Sequence, residues 1–352
     1  MKGATTKRPL NVSFRRGSPA EAAYRRLAGL PGEQVEAIAP GLPPTPSHDL
    51  HYHGGRIIAD LHFKNFFVGA DAWADADIAK IDDALAAAMS DAHLNNVIEQ
   101  YFPGSITSTF DGSENLAGPA PGTVSQTDIE NLANSLAGEG KLTGDLSSTV
   151  FNFMLPPGTV LNDNTTGAGN AADADGDEKK KKGPVPDDDK ADSLNGLGGY
   201  HGSIHVGSDT IYYAVGVFSE VRKDGTENGI PVFDQPWKNV VATFYHELNE
   251  ARTDADVEDA IRAGNDPSGI KFLGWTSKQG EECGDFPVFE AGNNLKLVFQ
   301  EVELASGPGT VPVQFQYSNH VHGPEGPVPT PDPKVHTTVR HKIEAVSEAV
   351  GD

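Results

Sequence analysis

Apolar and polar positions divide this chain into strand-like and helix-like stretches that alternate along its length. Residues 56–68 are dense in Ile, Leu and Phe and read as a buried strand. Ile78, Ile81, Leu85, Met89, Val97 and Ile98 recur at helical spacing and predict one long amphipathic helix, capped by Asp75 or Asp77. Ser125-Gln126-Thr127-Asp128 is a capping signature ahead of Ile129, Leu132 and Leu136, and Gly138 ends that helix. Thr149 to Leu155 reads as a second buried strand, and Ile204–Val206 with Thr210–Phe218 as a hairpin turning at Gly207-Ser208-Asp209. Val240, Val241, Phe244 and Leu248 form the apolar stripe of a helix from about Pro236 to Ala263. Residues 295–302 and 311–317 predict two late strands, joined across SGPGT.

Strands and helices that interleave in this way predict an α/β or α+β fold: a mixed sheet flanked by helices, with the 236–263 helix packed on it. The flanks differ in character. Residues 1–48 read as an N-terminal arm, with a capping box at Ser18-Pro19-Ala20-Glu21, a short helix through Tyr24, Leu27 and Leu30, and a Pro-rich linker. Residues 49–320 form a single α/β domain, interrupted at 162–195 by a Gly-, Asp- and Lys-rich stretch that predicts a mobile loop. Its DADGD run imitates a calcium loop, but Pro184 stands where an EF-hand needs a bidentate Glu, so that reading is rejected. Residues 321–352 read as a Pro-rich tail closed by a short polar helix.

Charge narrows the class of partner. The net charge of −23 repels nucleic acid and anionic membranes, which excludes both as default partners and suits cation binding. The one cysteine, Cys283, allows no intramolecular disulfide, so core packing or a metal must hold the fold. The basic start, MKGATTKRPLNVSFRRGS, lacks the apolar core of a secretory signal, and no apolar run approaches 18 residues. The default expectation is therefore a soluble cytoplasmic chain.

The chemistry concentrates in His246-Glu247-Leu248-Asn249-Glu250. Residues four apart on a helix share a face, so His246 and Glu250 can point at one ion with Glu247 beside them. The string resembles the zinc-protease motif H-E-x-x-H with Glu in place of the second His; in that motif the middle Glu is the general base. A carboxylate in place of an imidazole makes the site harder, which favours oxygen-preferring ions more than the parent motif does. Asp254, two turns beyond His246, extends a polar stripe. Downstream, Glu281-Glu282-Cys283-Gly284-Asp285 offers distal ligands, as zinc-protease folds take theirs from beyond the helix. The blander reading of both segments is a solvated acidic surface. Histidines also pair at His51/His53, His201/His205 and His320/His322, and several sit beside Gly, where backbone approaches closely.

Taken in order, YHGG, GYHG, HELNEARTDAD, Trp275 and GEECGD resemble the Exordium/phosphate-induced protein family over about residues 50 to 290. His246, Glu247, Leu248 and Glu250 match its HELxE helix, Thr253-Asp254 its next step, and Glu282 and Asp285 its final acidic pair. Ala255 stands where that family has Pro, and its paired cysteines and signal peptide are missing. The resemblance implies a zincin-like metal site and an extracellular setting.

Two functions are compatible with these residues. In the first, His246, Glu250, Glu282 and Asp285 hold zinc and Glu247 activates a water for peptide or amide hydrolysis. In the second, the same oxygens hold a structural calcium in a non-catalytic module that binds or assembles with a peptide or polymer. A third arrangement dispenses with metal, pairing Glu250 with Arg252 or Arg262 and Glu282 with Lys278.

Overall fold

The computed structural model describes residues 12–15, 18–20, 42–162, 192–264 and 266–331. Its frame is a six-stranded mixed sheet of β1 (Val12–Phe14), β2 (Asp60–Val68), β3 (Thr107–Leu116), β4 (Thr149–Leu155), β5 (Leu197–Val206) and β6 (Asp209–Val217). The spatial order is β1-β5-β6-β4-β2-β3. β3, β2, β4 and β6 run parallel, β5 is antiparallel to β6, and β1 is antiparallel to β5.

The period of two along each strand sends side chains into separate cores on the two faces. Val150 and Met154 of β4, with Tyr212 and Ala214 of β6, face one core; Phe151, Phe153 and Leu155, with Tyr213, Val215 and Val217, face the other. The first core is closed by α1 (Asp75–Ser90) and by the motif helix, α4 (Pro236–Thr253). Between them in the chain come α2 (Ala92–Glu99) and α3 (Gln126–Gly138), and α3 covers the second core through Ile129, Ala133 and Leu136. α5 (Val257–Ala263) and α6 (Asp285–Ala291) follow the motif helix, and a hairpin of β7 (Phe299–Glu303) and β8 (Thr310–Gln314) packs against it. Among the described residues no helix is long and apolar enough to cross a membrane.

Several boundaries differ from the sequence pattern. The single helix expected through Ile98 breaks at Asp91, whose carboxylate accepts from the backbone N–H groups of His93 and Leu94 and so starts α2 afresh. The first helix draws no side-chain cap from Asp75 or Asp77, which lie inside its first turn. The motif helix stops at Thr253, because Asp254 leaves helical geometry at φ −148°, ψ 62°. β3 has only Phe110 and Leu116 as large apolar residues and lies at the sheet edge, so it carries no buried-strand signature.

Val12–Phe14, placed in the arm by composition, is a strand of the body's sheet, with Val12 and Phe14 buried in its core. The rest of that arm's helix, the 163–191 portion of the expected loop with its calcium-loop imitation, and the tail beyond residue 331 lie outside the described residues.

Candidate metal centre

Helix α4 is an unusual carrier for so many polar groups, since all sixteen residues from Lys238 to Thr253 are buried. The solvated acidic face expected of HELNE does not exist: His246, Glu247, Glu250 and Asp254 are each 0% exposed. The helix lies close to the sheet where two glycines pair, Gly199 of β5 with Gly216 of β6. A Cβ on Gly216 would run into the Phe244 ring, and one on either glycine would lie 3.2 Å from Thr243 Cγ2. Two residues beyond Gly199, on the same face of β5, His201 points at the acidic end of the helix.

The segment after Trp275 closes the site from the other side. Gly284 N–H donates to Glu250 Oε1 at 3.0 Å, and a Cβ on Gly284 would overlap the His246 imidazole, so this glycine brings the GEECGD turn onto the motif helix. Helix and turn therefore converge. Glu282 Oε1 lies 3.7 Å from His201 Nε2, and Glu250 Oε2 lies 3.7 Å from His201 Nδ1 and 3.1 Å from His246 Nε2. Two overlapping sets of donor atoms gather within 4.8 Å: His201, Glu250 and Glu282, and His246, Glu247 and Glu250. These buried clusters could hold a metal ion.

Asp285, expected as a fourth ligand, is in neither set; its Oδ2 accepts from the Glu282 N–H at 3.0 Å and shapes the turn. Asp254 accepts from Gly274 N–H at 2.6 Å. The ion pairs of the metal-free arrangement are not formed. Arg252 donates instead to the carbonyls of Ala59 and Thr107, and Arg262 pairs with Glu130, Glu258 and Asp259.

Hydrogen bonding fixes how His246 presents itself. Gln314 of β8 donates its amide Nε2 to the carbonyls of Gly284 and Phe315, which leaves its Oε1 as acceptor for His246 Nδ1. A proton held on Nδ1 leaves the Nε2 lone pair facing Glu250. A hydrogen-bond acceptor on the far ring nitrogen orients a metal-ligating imidazole in this way. Replacing Gln314 with Leu is expected to weaken metal binding about 10–100-fold while the fold persists; a competition titration with a chromophoric chelator, beside circular dichroism, reads both quantities.

Burial dominates the titration of these acids. Burial pushes the Glu247 carboxyl up to about 7. It raises Glu250 well above the usual range, with the negative Glu247 adding to the effect, and it raises Glu282 likewise, with Asp254 and Glu250 contributing. Burial and the neighbouring His246 push His201 down to about 3, so its ring is neutral at ordinary pH. His246 Nε2, Glu247 Oε2, Glu250 Oε2 and both Glu282 oxygens are buried without a hydrogen-bond partner among the described residues. Donor lone pairs thus face one another across 3–4 Å, an arrangement that a divalent cation would satisfy.

The predicted ligand set leaves out three residues that lie at the site. His201 carries a signal, as a His paired with His205 and set beside Gly202. Gln314 has none, nor does Ser13, whose Oγ donates to Glu247 Oε1 at 2.7 Å from 234 residues away. Comparison with known proteins gives no match: no family model, no curated protein and no solved structure is similar to the chain.

Proposed function

We propose that this chain is a zincin-like metalloprotein that holds one divalent ion, zinc in preference to calcium, and uses it in peptide or amide hydrolysis. The observation that carries the reading is a pair of fully buried donor sets that share Glu250, one with His246 and Glu247 and one with His201 and Glu282. The 3.1 Å between His246 Nε2 and Glu250 Oε2 is close to the roughly 3.3 Å edge of a tetrahedron with bonds of about 2.0–2.1 Å. Each donor set contains an imidazole, which favours zinc, because calcium takes oxygen ligands almost exclusively. The motif resemblance to the Exordium/phosphate-induced family, through HELNEARTDAD and GEECGD, belongs to the same proposal.

A bound zinc would supply Lewis acidity and a water acidified toward neutral pH. The chain's own part is then clear. His246, held by Gln314, keeps its Nε2 lone pair on the site, and Glu250 and Glu282 offset the ion's charge. Glu247 Oε2, with no hydrogen-bond partner among the described residues, accepts a proton and returns it to the leaving amine; Ser13 holds its other oxygen.

A second reading is favoured by one observation, the burial of every donor. Closed sites of that kind are typical of structural ions, and this would make the chain a binding or assembly module. Elemental analysis of the purified chain beside a His246→Ala/Glu250→Ala variant tests the metal itself. One zinc per chain, lost in the variant, supports the proposal; calcium in its place supports the structural module; no metal after incubation with both ions overturns both.

A further inference from the structure

The strand β1 stands apart from the rest of the sheet in its origin and its size. It is three residues long, it belongs to a basic segment of an otherwise acidic chain, and it lies on the sheet edge beside the motif helix. It pairs antiparallel with β5, the strand that carries His201, in the register Val12↔Tyr200, Ser13↔Gly199 and Phe14↔Leu197. Alternation sends Val12 and Phe14 into one core, where Phe14 packs on Phe289, and sends Ser13 to the opposite face. There its hydroxyl donates to Glu247, the general base of the proposed reaction.

We propose that Val12–Phe14 is an occupant of the sheet and not a founding strand: the edge of β5 beside Glu247 is a groove for one extended peptide, filled here in cis. An exposed strand edge binds peptide through main-chain hydrogen bonds, while alternate side chains enter pockets. Each element of that mode is present. A Cβ on Gly198 would lie 2.8 Å from Ile230 Cδ1 and 3.1 Å from Ser13 Oγ, so only a glycine there leaves room for the seryl hydroxyl. The groove thus accepts a small hydroxyl residue opposite Glu247 and an apolar residue on either side of it. Main-chain pairing continues as Arg15 N–H donates to the Gly196 carbonyl, and the Arg15 guanidinium pairs with Glu227. The peptide class that fits is apolar–Ser–apolar–basic in extended form, and the net charge of −23 attracts its basic end. The inference rests on the proposed hydrolytic reading for what the vacated groove would do next, but strand exchange itself needs no metal.

The test uses the full chain in a Val12→Asp/Phe14→Asp form, which makes the occupant unfit for its pockets. The probe is a fluorescein-labelled peptide of the chain's own residues 10–16, Leu-Asn-Val-Ser-Phe-Arg-Arg. Anisotropy is measured with EDTA and again with zinc, and the metal content of each sample is recorded. At least tenfold tighter peptide binding by the variant than by the parent chain, with or without zinc, is the expected result. A folded variant whose peptide affinity equals the parent's overturns the inference. Ser13→Pro, which removes one strand N–H, is the second variant. If neither variant folds, β1 is integral to the sheet and the inference also falls. Peptide binding by a sample that takes up no zinc in the zinc arm would sustain the groove while removing the metal reading, so the two failures are separate.

Discussion

Zinc at about a thousand times its dissociation constant is expected to raise the midpoint of thermal unfolding by roughly 8–16 °C. Binding to the folded chain alone at that excess adds about 4 kcal/mol, and each kcal/mol moves the midpoint of a domain of this size by roughly 2–4 °C. The structural reason is that the metal-free site is a cost to the fold. Glu247, Glu250 and Glu282 are buried together with oxygens that no donor satisfies. The increment should also depend on pH in a definite direction. The folded-state carboxyl of Glu247 titrates at about 7 against an ordinary 4.5, and burial raises Glu250 and Glu282 further. Between those values the folded chain holds more protons than the unfolded one, so metal-free stability is fully present below about 4.5 and falls as pH rises through about 7. The ion takes the deprotonated forms, so its affinity rises through the same window. Calorimetry with and without zinc at pH 5 and pH 8 should show the larger increment at pH 8. Equal increments at both values would mean that these acids do not bind the ion.

Much of this site was legible because two of its segments are continuous in sequence. The i, i+4 spacing of His246 and Glu250 is a property of any helix, and the Glu-rich turn 281–285 announced itself by composition. The class of fold followed from interleaved periodicities, which survive even where boundaries shift at Asp91 and Asp254. Burial was not legible. A helix bearing Lys, Asn, His, Glu and Arg reads as half solvated, yet α4 is enclosed by the sheet, by α1 and by the β7–β8 hairpin. Only tertiary placement tells a buried acid from a surface one. The same limit applies to the partners: Ser13, His201 and Gln314 meet the motif helix across separations of 234, 46 and 68 residues, and nothing local to Ser13 or Gln314 encodes the meeting. Asp285, an acid close to the site in sequence and in space, accepts from the backbone of its own turn, a partner that its sequence position does not announce.

Glu247→Gln is expected to retain one zinc per chain and to slow peptide cleavage about 10²–10⁴-fold, the usual contribution of a positioned general base. The substitution is nearly isosteric, and the amide oxygen can still accept from Ser13, so β1 has no cause to leave. What is lost is the capacity of Oε2 to take a proton from the attacking water and pass it on. Stability at pH 8 should not fall, because a neutral amide replaces a buried charge whose Oε2 has no donor among the described residues. Cleavage is best followed by mass spectrometry on a mixed peptide library, in the parent background and with the Val12→Asp/Phe14→Asp changes, since Ser13 occupies one oxygen of the base in the intact chain. An unchanged rate in Glu247→Gln, at full metal content, would remove Glu247 from the mechanism. Absence of cleavage in every background, with zinc bound, would leave the ion as a structural one and the β5 edge as a binding groove alone.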